Sequence, residues 1–143
     1  MSEDIFEIAL LFVGISRYRY AGNYMLTGVD CSGFVCEILR SVGVIGKTDY
    51  SAQGLYSLLV KKENRSQLGP GSLLFFGENR NSISHVAIAY NDHLMIESGG
   101  GTSKTTSLQD AEKRNAYIRI RPIRKDLVAC LKIESGPEKK LLS

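Results

Sequence analysis

Only two histidines and three cysteines occur in 143 residues. An odd number of cysteines closes no disulfide framework, and none of them forms a C-x-x-C pair. So small a ligand set argues against a zinc site, and no metal or cofactor is expected. Cationic runs are missing too. The net charge is only +3, and no Lys/Arg stripe is interleaved with aromatics, so nucleic acid is not an expected partner. The nearest approach, "IRIRPIRK" from Ile118, alternates like a strand with one wet face. A mild positive excess suits an anionic surface such as a cell wall. No apolar stretch is long enough to span a bilayer. The opening "MSEDIFEIALLFVGI" has acids where a signal peptide has basic residues, and it lacks a small-residue cleavage site. Synthesis in the cytoplasm without a signal peptide is the expectation, with another carrier if the protein acts outside the cell. No repeat or linker divides the chain, so residues 1–143 are read as a single domain.

What remains is the composition of an ordinary globular domain, 43% hydrophobic and 23% charged. A chain of this length can bury about two-thirds of its unfolded surface. Asp4 to Ser16 reads as a helix with Ile5, Ile8, Ala9, Phe12 and Val13 on one face and Ser2 as its cap. "RYRYAGNYMLTG" is a loop. A second helix is expected from about Ser32 to Val42, with Phe34, Val35, Ile38 and Leu39 inward and Gly43 as its terminator. "DYSAQGLYSLLVKK" reads as a third, with Leu55, Leu58 and Leu59 inward and lysines in its last turn. After a turn at Pro70 and Gly71 the period changes. "SLLFF", "SHVAIAY" and "HLMIES" read as strands, the last two joined by a tight turn at "YND". "NAYIRIRPI" sets Ala116, Ile118 and Ile120 against Tyr117, Arg119 and Arg121. "GGGTSKTTS" is a loop, and "ESGPEKKLLS" a polar tail expected to fray. Helices followed by a strand meander give an α+β domain, with N-terminal helices packed on an antiparallel sheet.

The stretch "GVDCSGFVCEIL" puts Cys31 at the first turn of the second helix. The free N–H groups and the positive dipole end there favour a thiolate and can stabilise an oxyanion. Gly33 is read as leaving room for a substrate backbone beside the sulfur. A nucleophilic thiol needs a base, and His85, at the start of "SHVAIAY", is the candidate. The base needs a third group to fix its tautomer. Glu97 sits 12 residues on, across the tight turn, and can stand beside His85 in an antiparallel pair. Taken singly, each has a plainer reading. Cys36 and Cys130 read as small core residues. A lone histidine at a strand start is commonly a satisfied polar residue, and Glu97 could be a surface carboxylate. The joint order of the three is what points to chemistry.

With those residues in hand, the chain resembles the NlpC-type cell-wall cysteine peptidases, a papain-like group. "DCSGFV" matches the family's nucleophile segment D-C-S-G-[LF]-V, and "YRYAG" loosely matches Y-x-W-G-G. "PGSLLFF" matches P-G-D-L-v-F-F, and "HVAIAY" matches H-V-[GA]-I-Y. The resemblance runs from about Tyr18 to Gly101. It implies a papain-like domain that hydrolyses peptidoglycan stem peptides, typically between D-glutamate and a diamino acid. It implies Cys31 as nucleophile and His85 as base. Tyr18 matches a family tyrosine whose hydroxyl lines the site, and Asp30 and Ser32 flank the nucleophile where members bind the stem peptide. Four positions depart from the pattern. Glu97 stands where the family most often has histidine, giving a Cys–His–Glu triad. Ser72 replaces an aspartate that looks structural, and Tyr20 and Ala21 replace Trp and Gly.

Three functions compete on these grounds. The first is a peptidoglycan endopeptidase of phage or prophage type, delivered by a tail, a holin or a secretion machine. The second is a thiol amidase or acyltransferase of the same fold. The third is a catalytically silent phage tail or structural domain.

Overall fold

A glycine with φ of 74°, Gly14, ends the first helical segment. Its N–H bonds the Ile118 carbonyl at 2.7 Å instead of continuing the helix. In the computed structural model of the protein, helix α1 therefore spans Ser2–Leu11 and stops short of the expected Ser16. Ser2 does not cap it. The cap position is Met1, and the Ser2 hydroxyl donates to the Ile133 carbonyl at 3.1 Å, tying helix α1 to the segment that follows the last strand. The structure describes residues 1–15, 19, 22–24, 28–61, 68–99, 106–107, 109, 111 and 117–134. Tyr18, Tyr20, Ala21, Lys62, Ala116 and the tail after residue 134 lie outside them.

A short ribbon pairs β1 (Asn23–Tyr24) with β2 (Gly28–Val29) and leads into α2, Cys31–Ser41. Phe34, Val35, Ile38 and Leu39 are all buried on one face of α2, as their helical spacing requires. The helix closes with Gly43 at φ 80°. Helix α3 spans Ala52–Leu59, shorter at both ends than the sequence reading; it starts at Ala52 because the Ser51 hydroxyl caps it by accepting the Gly54 N–H at 3.0 Å. Leu55 and Leu59 are fully buried and Leu58 partly so, while Lys61 falls beyond the last turn.

Five antiparallel strands follow: β3 (Leu73–Asn79), β4 (Ser82–Ala89), β5 (Leu94–Ser98), β6 (Ile118–Pro122) and β7 (Leu127–Leu131). Their order in the sheet is β6-β5-β4-β3-β7. The last strand, which sequence periodicity did not announce, crosses back to the far edge and pairs with β3. Between β4 and β5 the Asn91 side chain accepts the His93 and Leu94 N–H groups, each at 2.8 Å, which makes the turn tight.

Side chains alternate across this sheet. Leu73, Phe75, Val86, Ile88, Ile96, Ile118 and Leu131 join the three helices in the main core. Leu74, Phe76, Ala87, Ala89 and Met95 form a smaller cluster on the other face, with Ile123, Leu127 and Cys130 packed around it. The α+β arrangement of N-terminal helices on an antiparallel sheet is the one expected. Among the described residues no helix is long and apolar enough to cross a membrane.

Candidate active site

Helix α2 starts at Cys31 because Asp30 caps it. The Asp30 backbone is extended, and its Oδ1 accepts the Gly33 N–H at 2.6 Å. The Ser32 hydroxyl donates to the same oxygen at 3.3 Å. A charge-assisted cap of this kind removes one orphan N–H and leaves Cys31 as the first helical residue, at the positive end of the dipole. The sequence reading of Gly33 needs correction. A Cβ there would overlap the Gly22 carbonyl oxygen, so the space is filled by the chain's own backbone and not kept for a substrate. That same carbonyl accepts the Asp30 N–H at 3.1 Å, which pins the segment ahead of Cys31.

His85 and Glu97 come from neighbouring strands on the sheet face that carries Phe76 and Met95. The register, Ile88 opposite Ile96 and Ala89 opposite Met95, makes them diagonal neighbours along that face instead of a directly opposed pair. His85 Nε2 and Glu97 Oε1 are 2.8 Å apart. The imidazole side chain is 11% exposed and the carboxylate 6%. Glu97 is thus no surface carboxylate. Burial disfavours the imidazolium, but hydrogen bonding to Cys31 and to Glu97, together with their electrostatic pull, outweighs it and raises the His85 pKa to about 9. Burial also works against the Glu97 charge, and the bond to His85, the imidazolium charge and Arg119 overcome it, holding the carboxyl below its ordinary range. The His85 ring leans on Phe76 with 5.5 Å between centroids, which limits its rotation.

Two further groups complete the site, and the sequence reading passed over both. Arg119, read as part of a solvated strand face, lies opposite Glu97 in the β5–β6 register and donates from Nε to Glu97 Oε2 at 3.1 Å. Each carboxylate oxygen of Glu97 therefore has its own cationic partner. Ser98, fully buried, donates its hydroxyl to the Val29 carbonyl at 2.7 Å. That bond joins the strand bearing Glu97 to the residue two before Cys31. Only the register of β5 against β6 and the contact of β5 with the start of α2 reveal these roles.

A cleft of about 380 Å³ is lined by Cys31, Ser84, His85, Glu97, Arg119 and Arg121, among others. The structure thus brings Cys31, His85 and Glu97 to one place. Asp30 and Ser32 stand beside it at the helix cap and are not among its lining residues. Tyr18 lies outside the described residues. The other two thiols are elsewhere. Cys36 is buried in the main core, where desolvation pushes its pKa up to about 11, and its S–H donates to the Tyr50 carbonyl at 3.5 Å. Cys130 packs on the second cluster, beside Ser72, and burial raises its pKa as well. Ser72, at the position of the family's aspartate, is buried and accepts the Gly69 N–H at 3.2 Å, a structural role in the turn before β3. Among the described residues no group of three or more His, Cys, Asp or Glu is placed to hold a metal ion.

Comparison with known proteins places the chain in a family. Residues 15–122 match the sequence profile of the NlpC/P60 family. A curated relative from Bacillus cereus, named gamma-D-glutamyl-L-lysine dipeptidyl-peptidase, is 33% identical over 99 residues. That match covers 68% of this chain but only 28% of the relative, so the chain spans well under a third of that protein. Among solved structures, the NlpC/p60 domain of the peptidoglycan hydrolase SagA aligns with a TM-score of 0.67 at 18% identity, over 93% of this chain and 99% of that one. RipD from Mycobacterium tuberculosis, described as a non-catalytic NlpC/p60 domain protein adapted to peptidoglycan binding, aligns with a TM-score of 0.64 at 17% identity, over 94% and 97%. With three-quarters of its length matched and a papain-like α+β core shared with solved members, the chain belongs to the NlpC/P60 family, a family of peptidoglycan hydrolases.

Proposed function

We propose that the protein is a cysteine peptidase that hydrolyses the stem peptides of bacterial peptidoglycan. One observation carries this reading: a single cleft is lined by Cys31, at the positive end of α2, and by His85, whose Nε2 is held by Glu97 at 2.8 Å. With Nε2 engaged, Nδ1 is the nitrogen available to the thiol. The Cys31 proton passes to His85 before Sγ attacks the amide carbonyl. The oxyanion forms beside the free N–H groups at the start of α2. His85 then protonates the leaving amine as the C–N bond breaks. It next deprotonates the water that hydrolyses the thioester. Glu97 fixes the tautomer and stabilises the imidazolium without becoming the base.

The name of the Bacillus cereus relative supports the bond between D-glutamate and the diamino acid as the one cleaved. Tyr18, Asp30 and Ser32 are the proposed stem-peptide contacts by family position. The site of action is the cell wall, reached with a delivery partner such as a phage tail, holin or secretion machine. The polar, arginine-lined cleft suits a peptide better than an acyl chain, which argues against an acyltransferase. RipD is described as non-catalytic. Here the presence of thiol, imidazole and carboxylate together favours catalysis over binding alone.

Digestion of purified peptidoglycan, read by mass spectrometry, tests the proposal. Cys31→Ala should lower the rate by about 10⁴-fold or more, as loss of a nucleophile does. Cys36→Ala and Cys130→Ala should leave it largely intact. Equal losses in all three folded variants would reject the assignment.

A further inference from the structure

We propose that the arginine side of the cleft is an anion subsite in which Arg121 binds a carboxylate of the substrate peptide. The proposal deepens the peptidase reading and rests on it for the class of ligand. Its basis is the balance of charge along one wall. Arg119, Arg121 and Arg124 all line the cleft that contains Cys31 and His85. Two of the three are already answered. Arg119 is bonded to Glu97 at 3.1 Å, and Arg124 makes a two-point contact with Asp126 at 2.9 and 2.7 Å while lying 5.4 Å over the Phe76 ring. Among the described residues Arg121 has no hydrogen-bonding or ion-pair partner, so its charge is the uncompensated one.

Its position follows from the ladder. Arg119 is opposite Glu97 and Arg121 opposite Met95, so both lie on the face that carries His85. Two residues along a strand separate them by about 7 Å. A carboxylate held by Arg121 would thus sit one strand repeat from the Glu97–Arg119 pair, within a peptide's length of the attacked carbonyl. Of the three guanidinium groups only Arg121, exposed at the cleft, is left to meet an incoming anion. The planar fork of arginine is matched to a carboxylate in two-point contact. A peptide cut beside a γ-linked glutamate offers two such groups: the α-carboxylate of that glutamate and the carboxylate at the peptide's C-terminus.

Binding to the Cys31→Ala protein, which leaves the peptide whole, separates these sources and is independent of turnover. The probes are L-Ala-γ-D-Glu-L-Lys, the same peptide amidated at the glutamate α-carboxyl, and the same peptide amidated at its C-terminus. Calorimetry should show that one amidation weakens binding by about tenfold while the other does not, which identifies the carboxylate held. Adding Arg121→Gln should weaken the free acid by a similar factor and abolish the preference between acid and amide. Arg121→Lys should recover part of it. Equal binding of all three peptides, an unchanged preference in Arg121→Gln, or no measurable binding of any of them would overturn the subsite. Cleavage of the free acid by the native protein is followed in parallel. Absence of cleavage with acid-selective binding would reject the peptidase reading and leave the anion subsite standing.

Discussion

Glu97 accepts from two cations with separate oxygens, His85 at 2.8 Å and Arg119 at 3.1 Å, while only 4% of the residue is exposed. Such a carboxylate orients an imidazole and also sets its charge. Replacing Glu97 by Gln keeps an acceptor and removes the charge, whereas Glu97→Ala removes both. Glu97→Gln should therefore keep more activity than Glu97→Ala, and both more than His85→Ala, which forfeits general acid–base catalysis worth about 10²–10⁴-fold. Activity should decline as pH rises through about 9, where His85 loses the proton that the leaving amine needs. Glu97→Gln should move that limb to lower pH. Stability follows the same pair. The His85 pKa is raised above 6.5, so its contribution is full below 6.5 and lost as pH rises through about 9. Glu97 is held below 4.5, so its contribution is present above 4.5 and lost as pH falls through its folded value. The urea midpoint of the native protein should drop between pH 6.5 and 9.5 by more than that of Glu97→Gln. The opposite ranking would mean that the pair is not coupled. Sequence placed His85 and Glu97 within reach of each other because a short turn joins their strands. Arg119 was hidden because its approach to Glu97 depends on a register set across a 19-residue connection.

Helix α2 shows what capping does for the cleft. Its first residue is the candidate nucleophile, so the cap that starts the helix also aims the thiol. Asp30→Ala should cost about 1 kcal/mol, the usual worth of an N-cap, while Asp30→Asn should keep most of it. If the cap aims Cys31, Asp30→Ala should also slow alkylation of Cys31 by iodoacetamide, and Asp30→Asn should largely restore it. Thermal unfolding and alkylation rates check the two effects, and an unchanged alkylation rate in Asp30→Ala would confine Asp30 to stability. Element boundaries were read closely at α2, where Gly43 marks the end, and at the tight β4–β5 turn, while the local cap of α3, Ser51, was passed over. Elsewhere a distant group decides. The α1 stop at Leu11 depends on Gly14 reaching the Ile118 carbonyl, more than 100 residues away in sequence. Strand β7 escaped notice because only Leu131 of its five residues is buried, so alternation is faint.

At the scale of the molecule, the α+β class is written in the order of periods, helical first and alternating later, but the sheet order β6-β5-β4-β3-β7 is not. Crossing of the chain from β6 to the far edge is a property of the whole sheet. The cleft depends on such long-range closure. Cys31 belongs to a helix on one side of the sheet, and His85 and Glu97 project from strands, so the two halves must be held in register. The buried Ser98 hydroxyl, 2.7 Å from the Val29 carbonyl, is a direct tie between them. Ser98→Ala would leave that carbonyl with the Arg19 N–H as its remaining donor, at a cost of about 0.5–1.5 kcal/mol. Loss of stability alone would be a merely structural result. If the bond also keeps the thiol opposite the imidazole, kcat should fall by about tenfold or more with KM nearly unchanged, since a small misplacement of reacting groups penalises the chemical step. Ser98→Thr retains a hydroxyl and should recover part of kcat if the buried space admits its methyl group. Kinetics on a soluble stem peptide, at a temperature where every variant is fully folded, separates the two roles. A Ser98→Ala protein with native kcat would show that the rest of the fold, and not this bond, sets the distance between helix and sheet.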